Sequence, residues 1–352
     1  VAKFSVEVTD SVRVRDVLDD ALKIMTTGRP GPVVLSIPLD VQAAPMPARV
    51  HSMVSAEPSD GVAPLDVERV RECLASLVSA ERPIILAGGG CGGVGKELRT
   101  LAEILQIPVV RTWNALDVVP DDWTLFAGNV GTYGGKGRNF AVQNADVVLA
   151  IGTRISGRIT GGDTKSFLRG AREVWHVDAD RGVLEGLDDD VVPRQKINAY
   201  VGNFLSACRG MVAGGWGFAR LDAGWLGRVR AWRDAYSVDL IADRATDDVN
   251  PYAFVRELSR LAPLNAIVVS ECGGNAVIFH QAWESKTNQR IFSSHGGSAM
   301  GQGLPLAIGA AIAQPERPVI AVLGDGGFTL AAAELNTMRV QAALGNLKNL
   351  RV

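Results

Sequence analysis
Cysteine is scarce in this sequence. Its 352 residues hold four, Cys73, Cys91, Cys208 and Cys272, all far apart. No two form a C-x-x-C pair, which argues against a disulfide framework or a zinc module. A reducing cytoplasm is the compartment such a chain fits. An excess of one charge is lacking too. Lys and Arg number 36, Asp and Glu 38, for a net charge of −2, so no surface for nucleic acid or another polyanion is expected. No apolar run is long enough to cross a bilayer, so no membrane partner is expected. The opening "VAKFSVEVTD" lacks the basic-then-apolar layout of a signal peptide, and no short-period repeat occurs.

Histidine is equally sparse, with four residues. His51 lies in a Pro- and Ala-rich stretch and reads as solvated. His176 sits inside "EVWHVDAD" and reads as a core residue. His280 follows Phe279 in a helix-like run and reads as packing. His295 differs, because it stands in the glycine-rich "SSHGG". It is the one histidine that is a candidate for facing a substrate, since polar loop residues beside a site carry function.

The apolar content of 47% and charged content of 21% are those of a globular protein, and the length allows two or three domains. Residues 1–45 contain a helical pattern, "SVRVRDVLDDALKIMTT", and a short strand, "GPVVLSIP". One helix and one strand cannot bury a core, so this segment reads as the tail of a domain whose beginning is absent. Residues 46–64 read as a linker. Residues 65–213 alternate helices with the strands "PIILAGGG", "IPVVRT", "DVVLAIGT" and "EVWHVDAD", the pattern of an α/β domain with a parallel sheet covered on both faces. Residues 214–248 read as a second linker. Residues 249–338 form another α/β unit with strands "AIVVS" and "VIAVLGDGG", and residues 339–352 a polar tail.

Two glycine patterns carry chemistry. In "AVLGDGGFTLAAAELNTM" a strand ends at Gly324, Asp325, Gly326 and Gly327 before a helix-like run. Ligands of open α/β sheets sit beyond the carboxyl ends of strands, and a helix N-terminus suits phosphate. Asp325 would repel a diphosphate unless a hard cation such as Mg²⁺ lay between them. The alternative is a tight turn with Asp325 as a cap. Two neighbouring glycine-rich ends, "SECGGN" and "SSHGGSAMGQG", favour one large ligand site over three unrelated turns. In "AGGGCGGVG", Gly88, Gly90 and Gly93 spell G-x-G-x-x-G. The acid that a nicotinamide ribose needs after the next strand is Arg111 or Thr112 instead, which argues against a dinucleotide dehydrogenase. A glycine turn packing a helix on a sheet is the other reading. Cys272 reads as a small filler beside the loop. "GGSAM" has Met300 where a nucleophile elbow needs glycine, and "GLDDDVVP" is a solvated charge run.

In collinear order, "GRPGPVVLSIPLDVQ", "GNVGTYGGKGRNFAVQNADVVLAIGTRISGRITG", "ECGGN", "GGSAMGQGLPLAIGAAIA" and "VLGDGGFTLAAAELNTM" resemble the thiamine-diphosphate-dependent enzymes of the acetolactate synthase group. The resemblance implies the end of a pyrimidine-binding domain (1–45), a Rossmann-like middle domain that carries FAD (65–213) and a diphosphate-binding domain of the thiamine-diphosphate-binding fold (249–338). It implies Asp325 as a Mg²⁺ ligand. Gly273, Gly274, Asn275, Gly324, Gly326 and Gly327 would face the diphosphate, Ser298 and Ala299 the aminopyrimidine, and Met300 would lie under the bent cofactor. For FAD it implies Arg29, Gly88, Gly89, Thr112, Trp113, Tyr133, Gly134, Gly152, Arg154, Arg158, Ile159 and Asp178. The implied reaction is decarboxylation of a 2-keto acid such as pyruvate, with transfer of the two-carbon unit to a second carbonyl, in a homodimer or homotetramer.

Several positions depart from the family pattern. No glutamate here matches the cofactor-activating one. The asparagine pair expected after "GDG" is not found in "RVQAALGNLKNLRV", where Asn346 and Asn349 are poor substitutes. Two readings of the stretch after Met338 follow: it is discontinuous with what precedes it, or the chain is truncated. Ser156 and Gly157 stand where the family has an acidic pair, and Tyr133 where it has histidine. A non-oxidative decarboxylase, a pyruvate oxidase and a non-catalytic nucleotide- or diphosphate-binding module are the alternatives.

Overall fold
In this computed structural model, residues 2–45, 62, 64–186, 194–214, 223–244, 248–293 and 295–352 are described. His51, most of the expected 46–64 linker and the charge run at 187–193 lie outside them.

The first unit is β1 (Phe4–Glu7), α1 (Val14–Thr26), β2 (Val33–Ser36) and α2 (Leu39–Ala43). β1 was not expected. It pairs in parallel with β2, from Phe4 opposite Val33 to Glu7 opposite Ser36. Only Val8, Val17, Ala21 and Val41 are buried apolar residues there, a core too small for independent stability. Tyr200 of the second unit donates its hydroxyl to the Gly28 carbonyl at 3.2 Å and ties the two together.

The second unit comprises α3 (Val67–Val78), β3 (Pro83–Ala87), α4 (Gly95–Leu105), β4 (Val109–Arg111), β5 (Phe126–Asn129), α5 (Lys136–Asn144), β6 (Val147–Ile151), α6 (Gly157–Thr160), β7 (Glu173–Asp178), α7 (Arg181–Glu185), β8 (Arg194–Asn198), α8 (Val201–Ala213) and α9 (Ala223–Ala235). Asp66 caps α3 by accepting from the Glu68 and Arg69 N–H groups, the helix start that an aspartate before an apolar run favours. The strands β3 and β6 are buried along their whole length, as parallel strands covered on both faces must be. The sheet order is β5-β4-β3-β6-β7-β8, all parallel, so the chain reverses its direction of winding between β3 and β6. Leu74, Leu77, Leu98 and Phe204 fill one face, and Val142, Val148, Trp225 and Val229 the other.

The expected 214–248 linker is corrected by α9. Its Trp225 is buried and donates its indole N–H to the Pro83 carbonyl at 2.9 Å. Tryptophan carries a large apolar payload with one polar handle, and both are used here inside the middle domain.

The third unit comprises α10 (Asp239–Ala242), α11 (Pro251–Leu261), β9 (Ile267–Ser270), α12 (Gly274–Ala282), β10 (Arg290–Ser293), α13 (Gly303–Ala313), β11 (Val319–Val322), α14 (Asp325–Leu330), α15 (Glu334–Ala343) and β12 (Leu350–Arg351). Asn250 caps α11 with Pro251 at its first position, a strong start signal. The sheet order β10-β9-β11-β12 is again parallel, with its reversal between β9 and β11. α15 runs through Met338, and β12 pairs with β11, Leu350 opposite Val319. Asn346 and Asn349 lie between these elements, not in a helix.

Arg111 joins the second and third units. It is fully buried at the end of β4. Its Nε donates to Asn129 Oδ1 at 2.9 Å and its Nη2 to Asp121 Oδ2 at 2.8 Å. Its Nη1 donates to the carbonyls of Leu116 and Val119 and to Ser285 Oγ of the third unit. Asp121 Oδ2 also accepts from the backbone and hydroxyl of Ser285 at 2.9 and 2.7 Å. Burial pulls the guanidinium below its ordinary pKa and Asp121 opposes this; arginine stays charged across any accessible pH. Arg111→Ala is expected to cost about 3–5 kcal/mol, because it leaves a partly buried carboxylate without its cation. Denaturant unfolding of both proteins measures this, and a loss under about 1 kcal/mol would reduce the network to surface-pair strength.

Candidate functional site
Two sites form at the two reversals of sheet order, where loops from neighbouring strands part and leave a crevice.

The first lies beyond β3 and β6. A cavity of about 380 Å³ opens there, within the size range of cofactor pockets, lined by Arg29, Gly89, Gly90, Thr112, Trp113, Asn114, Gly152, Arg154, Ile155, Arg158, Ile159, Asp178, Tyr200 and His295 among others. A second hollow of about 600 Å³ shares Arg29, Pro30 and Ala179 with it. Of the positions expected to hold FAD, Arg29, Gly89, Thr112, Trp113, Gly152, Arg154, Arg158, Ile159 and Asp178 line the cavity.

Gly88, Tyr133 and Gly134 do not line it, for packing reasons. A Cβ on Gly88 would lie 2.1 Å from the Gly152 carbonyl oxygen, so this glycine lets two strand ends touch. Gly134 sits under the Asn129 carbonyl, 2.7 Å from where its Cβ would be. Tyr133 stands edge-on to Trp113 with centroids 5.1 Å apart, and its carbonyl accepts from Gln281 at 2.6 Å. The G-x-G-x-x-G pattern is thus partly a backbone-packing device. Ile155 is a further lining residue that no sequence pattern flagged. It is buried, with φ of 45°, a strained conformation for a β-branched residue of the kind held at functional sites.

The cavity is cationic. Arg29, Arg154 and Arg158 face Asp178 alone among its lining residues as an acid. Arg29 pairs with Asp180 at 3.5 Å, and neither Arg154 nor Arg158 has an ion-pair partner among the described residues. Burial pushes the Asp178 carboxyl up, opposed by the Asp180 N–H that it accepts at 2.9 Å. His295 stands edge-on to Trp113, with centroids 4.4 Å apart. Burial and the Arg158 charge push His295 down to about 4, so it is neutral at physiological pH. Its Nε2 is buried without a partner among the described residues, an opening for a polar group of a ligand. Guanidinium groups, glycine walls, an aromatic face and an unfilled imidazole suit an elongated anion with a flat ring, such as a flavin nucleotide.

The other two described histidines pack. His176 donates Nε2–H to the Thr153 carbonyl at 2.7 Å, and burial lowers its pKa. His280 is buried and stacks on Trp113 at 5.0 Å. Cys73, Cys91 and Cys208 are buried; burial pushes Cys91 and Cys208 up to about 12, which leaves them unreactive thiols. Cys272 is half-buried, so the filler reading fits it only in part.

The second site lies beyond β9 and β11, where three glycine-rich ends meet. Gly273, at φ of 79°, precedes α12, and Gly324 precedes α14. A Cβ at Gly273, Gly274, Gly297 or Gly324 would meet nothing within 4 Å. These glycines border open space, as a cradle for a close-bound phosphate does. Asn275 is turned inward, its Oδ1 accepting from Ser270 at 3.3 Å. Ser298, at φ of 52°, and Ala299 lead to Met300, which is 56% exposed. The Met300 Cε lies 3.0 Å from where a Gly326 Cβ would be, so the thioether overhangs the turn. Asp325 is exposed, and its Oδ1 accepts from the Gly326 N–H at 2.8 Å.

No three His, Cys, Asp or Glu residues converge on a metal among the described residues. A Mg²⁺ at Asp325 would draw its other oxygens from a diphosphate and water, its usual habit, and the open cradle beside Asp325 fits that. Gly327 differs from its neighbours. It is buried, and its Cα faces the side chain of Glu271. Sequence reasoning passed over Glu271, which is 1% exposed; an acid directly after an apolar strand, just before a glycine pair, was the signal available.

Residues 70–207 match the family model of the thiamine pyrophosphate enzyme central domain. Residues 271–343 match that of the thiamine pyrophosphate enzyme C-terminal TPP binding domain. The chain is 31% identical to a probable acetolactate synthase large subunit of Methanocaldococcus jannaschii, over 96% of this chain and 58% of that protein. It is 30% identical to the acetolactate synthase isozyme 1 large subunit of Escherichia coli (strain K12), over 91% and 55%. It is 29% identical to the chloroplastic acetolactate synthase 1 of Zea mays, over 97% and 53%. The chain thus spans little more than half the length of these relatives. No helix among the described residues is long and apolar enough to cross a membrane.

The His295 shift has a sign. The folded state resists protonation and the unfolded chain does not, so its contribution to stability is full above the ordinary value of 6.5 and is lost as pH falls toward about 4. Wild type and His295→Phe are expected to differ in the pH dependence of their denaturation midpoints between those limits, the variant losing less on acidification. Parallel curves would place the imidazole in water.

Proposed function
The chain carries the central and C-terminal domains of a thiamine pyrophosphate enzyme, and on that premise we propose an activity like that of acetolactate synthase. The reaction is decarboxylation of a 2-keto acid such as pyruvate, followed by transfer of the two-carbon unit to a second carbonyl compound. The observation that carries it is the meeting of three glycine-rich strand ends and Asp325 at the reversal between β9 and β11. Thiamine diphosphate, when bound, supplies the nucleophilic carbon and the electron sink.

The chain's own part is to bind and orient. Gly273, Gly274 and the Gly324–Gly326 turn leave backbone bare for the diphosphate, and Asp325 carries Mg²⁺ against it. Met300 props the cofactor from the loop 298–301. Exposed Met300, Phe328 and Leu330 beside the turn fit a face covered by a second copy, in a homodimer or homotetramer. In the middle domain we assign the cationic cavity to FAD, with Arg154 and Arg158 toward its phosphates. The buried, unpaired thiols suit a reducing cytoplasm.

Calorimetry with thiamine diphosphate and Mg²⁺ tests the second site. Wild type binds and Asp325→Ala loses measurable binding; equal heats in both would remove Asp325 from the site. Arg154→Ala and Arg158→Ala are expected to lower the flavin released on denaturation while leaving thiamine diphosphate binding in place. Full flavin content in both would move FAD elsewhere. Product analysis with pyruvate separates carboligation from a decarboxylase that releases free aldehyde.

A further inference from the structure
Glu271 follows β9 directly and is buried to within 1% of its surface. Its Oε1 accepts the backbone N–H of Gly301. Its Oε2 is buried with no hydrogen-bond partner among the described residues. Nor does any described ion pair involve it, although an isolated buried carboxylate is costly to maintain. The surrounding glycines show what that cost is tied to. A Cβ at Gly327 would lie 2.1 Å from Oε2 and 2.3 Å from Cδ, and a Cβ at Gly303 would lie 3.1 Å from the Glu271 Cβ. The carboxyl therefore lies flat against the Gly324–Gly327 turn while holding the loop that carries Met300.

We propose that Glu271 is a positioning residue of the diphosphate site, clamping the Met300–Gly301 loop against the Gly324–Gly327 turn. This rests on the reading of that site as the thiamine diphosphate site. Gly327, and in part Gly303, are glycines because Glu271 occupies the space a side chain would need. Gly273, Gly274 and Gly324 are glycines that border open space. Through Gly301 the clamp sets the position of Met300, whose Cε overhangs Gly326. The acid acts through these backbones and makes no contact with substrate.

The test is a double-mutant cycle in the full chain with a conservative control. Glu271→Ala, Gly327→Ala, their combination and Glu271→Gln are compared. Thermal unfolding is measured without cofactor, and thiamine diphosphate binding is titrated with Mg²⁺ present. Gly327→Ala drives a methyl group into the carboxyl and is expected to lower both the unfolding temperature and the affinity. In the double variant the methyl enters the space Glu271 vacates, so the loss is smaller than the two single losses together. Glu271→Ala is expected to weaken binding about 10- to 100-fold, the range seen when a residue orienting metal or cofactor ligands is removed. Glu271→Gln keeps the acceptor for Gly301 and is expected to bind within about threefold of wild type. Additive losses in the double variant, or wild-type affinity in Glu271→Ala, would overturn the clamp. Non-additive unfolding in a protein that binds no thiamine diphosphate would uphold the contact and overturn the cofactor reading instead.

Discussion

The burial of one guanidinium organises the middle of this molecule. Arg111 ends β4 with no solvent exposure, and a charge so placed has to be surrounded by acceptors. The segment after β4 supplies them by wrapping back, through the carbonyls of Leu116 and Val119 and the carboxylate of Asp121. The third unit supplies another through Ser285. Asp117, in the same segment, accepts from Arg290 and from the Ile291 backbone at 2.7 and 3.0 Å. Thr112, Trp113 and Asn114, which wall the first cavity, are held between these contacts. The satisfaction of one buried cation thus docks two units and shapes a ligand wall.

Parallel sheets place their ligand crevices by topology before any side chain is chosen. Both sheets reverse once, between β3 and β6 and between β9 and β11, and the cationic cavity and the glycine cradle stand beyond those two gaps. What fills the gaps differs in chemistry. The first has arginines, an aromatic wall and strained Ile155. The second has bare backbone, one exposed acid and one buried acid. Glycine serves three ends in these loops: strand-to-strand contact at Gly88, room for a carboxyl at Gly327, and open backbone at Gly273 and Gly324.

In the two larger sheets the interior strands were legible in the sequence and the edges were not. β3, β4, β6 and β7 announce themselves as apolar runs, as do β9 and β11. The strands that escaped notice are β1 of the two-stranded sheet and β5, β8, β10 and β12, the outermost strands of the two larger sheets. "RQKIN" is polar because an edge strand has one flank free of a partner, and "FAGN" is short and holds a glycine that weakens its pattern. α9 was hidden for another reason: its apolar stripe is short, Trp225, Val229 and Trp232, and arginines and glycine stand between these residues in the sequence. Most positions expected around the first cavity do line it, because motif order along the chain carries strand order. Gly88 and Gly134 could not be placed from sequence, where a glycine serving a ligand and a glycine serving a neighbour look alike. His295 was singled out for its loop, yet it faces the cavity of the middle domain and packs on Trp113.

That histidine begins a stretch with a geometric consequence. His295 is seated in one crevice and Gly301 is tethered in the other, with Gly296, Gly297, Ser298, Ala299 and Met300 strung between them. Exposed loops ordinarily absorb inserted residues at little thermodynamic cost. This one has both ends nailed down, so its length is a ruler: one residue more or fewer would pull His295 off Trp113 or Gly301 off Glu271. Over this span the number of residues is fixed from both ends.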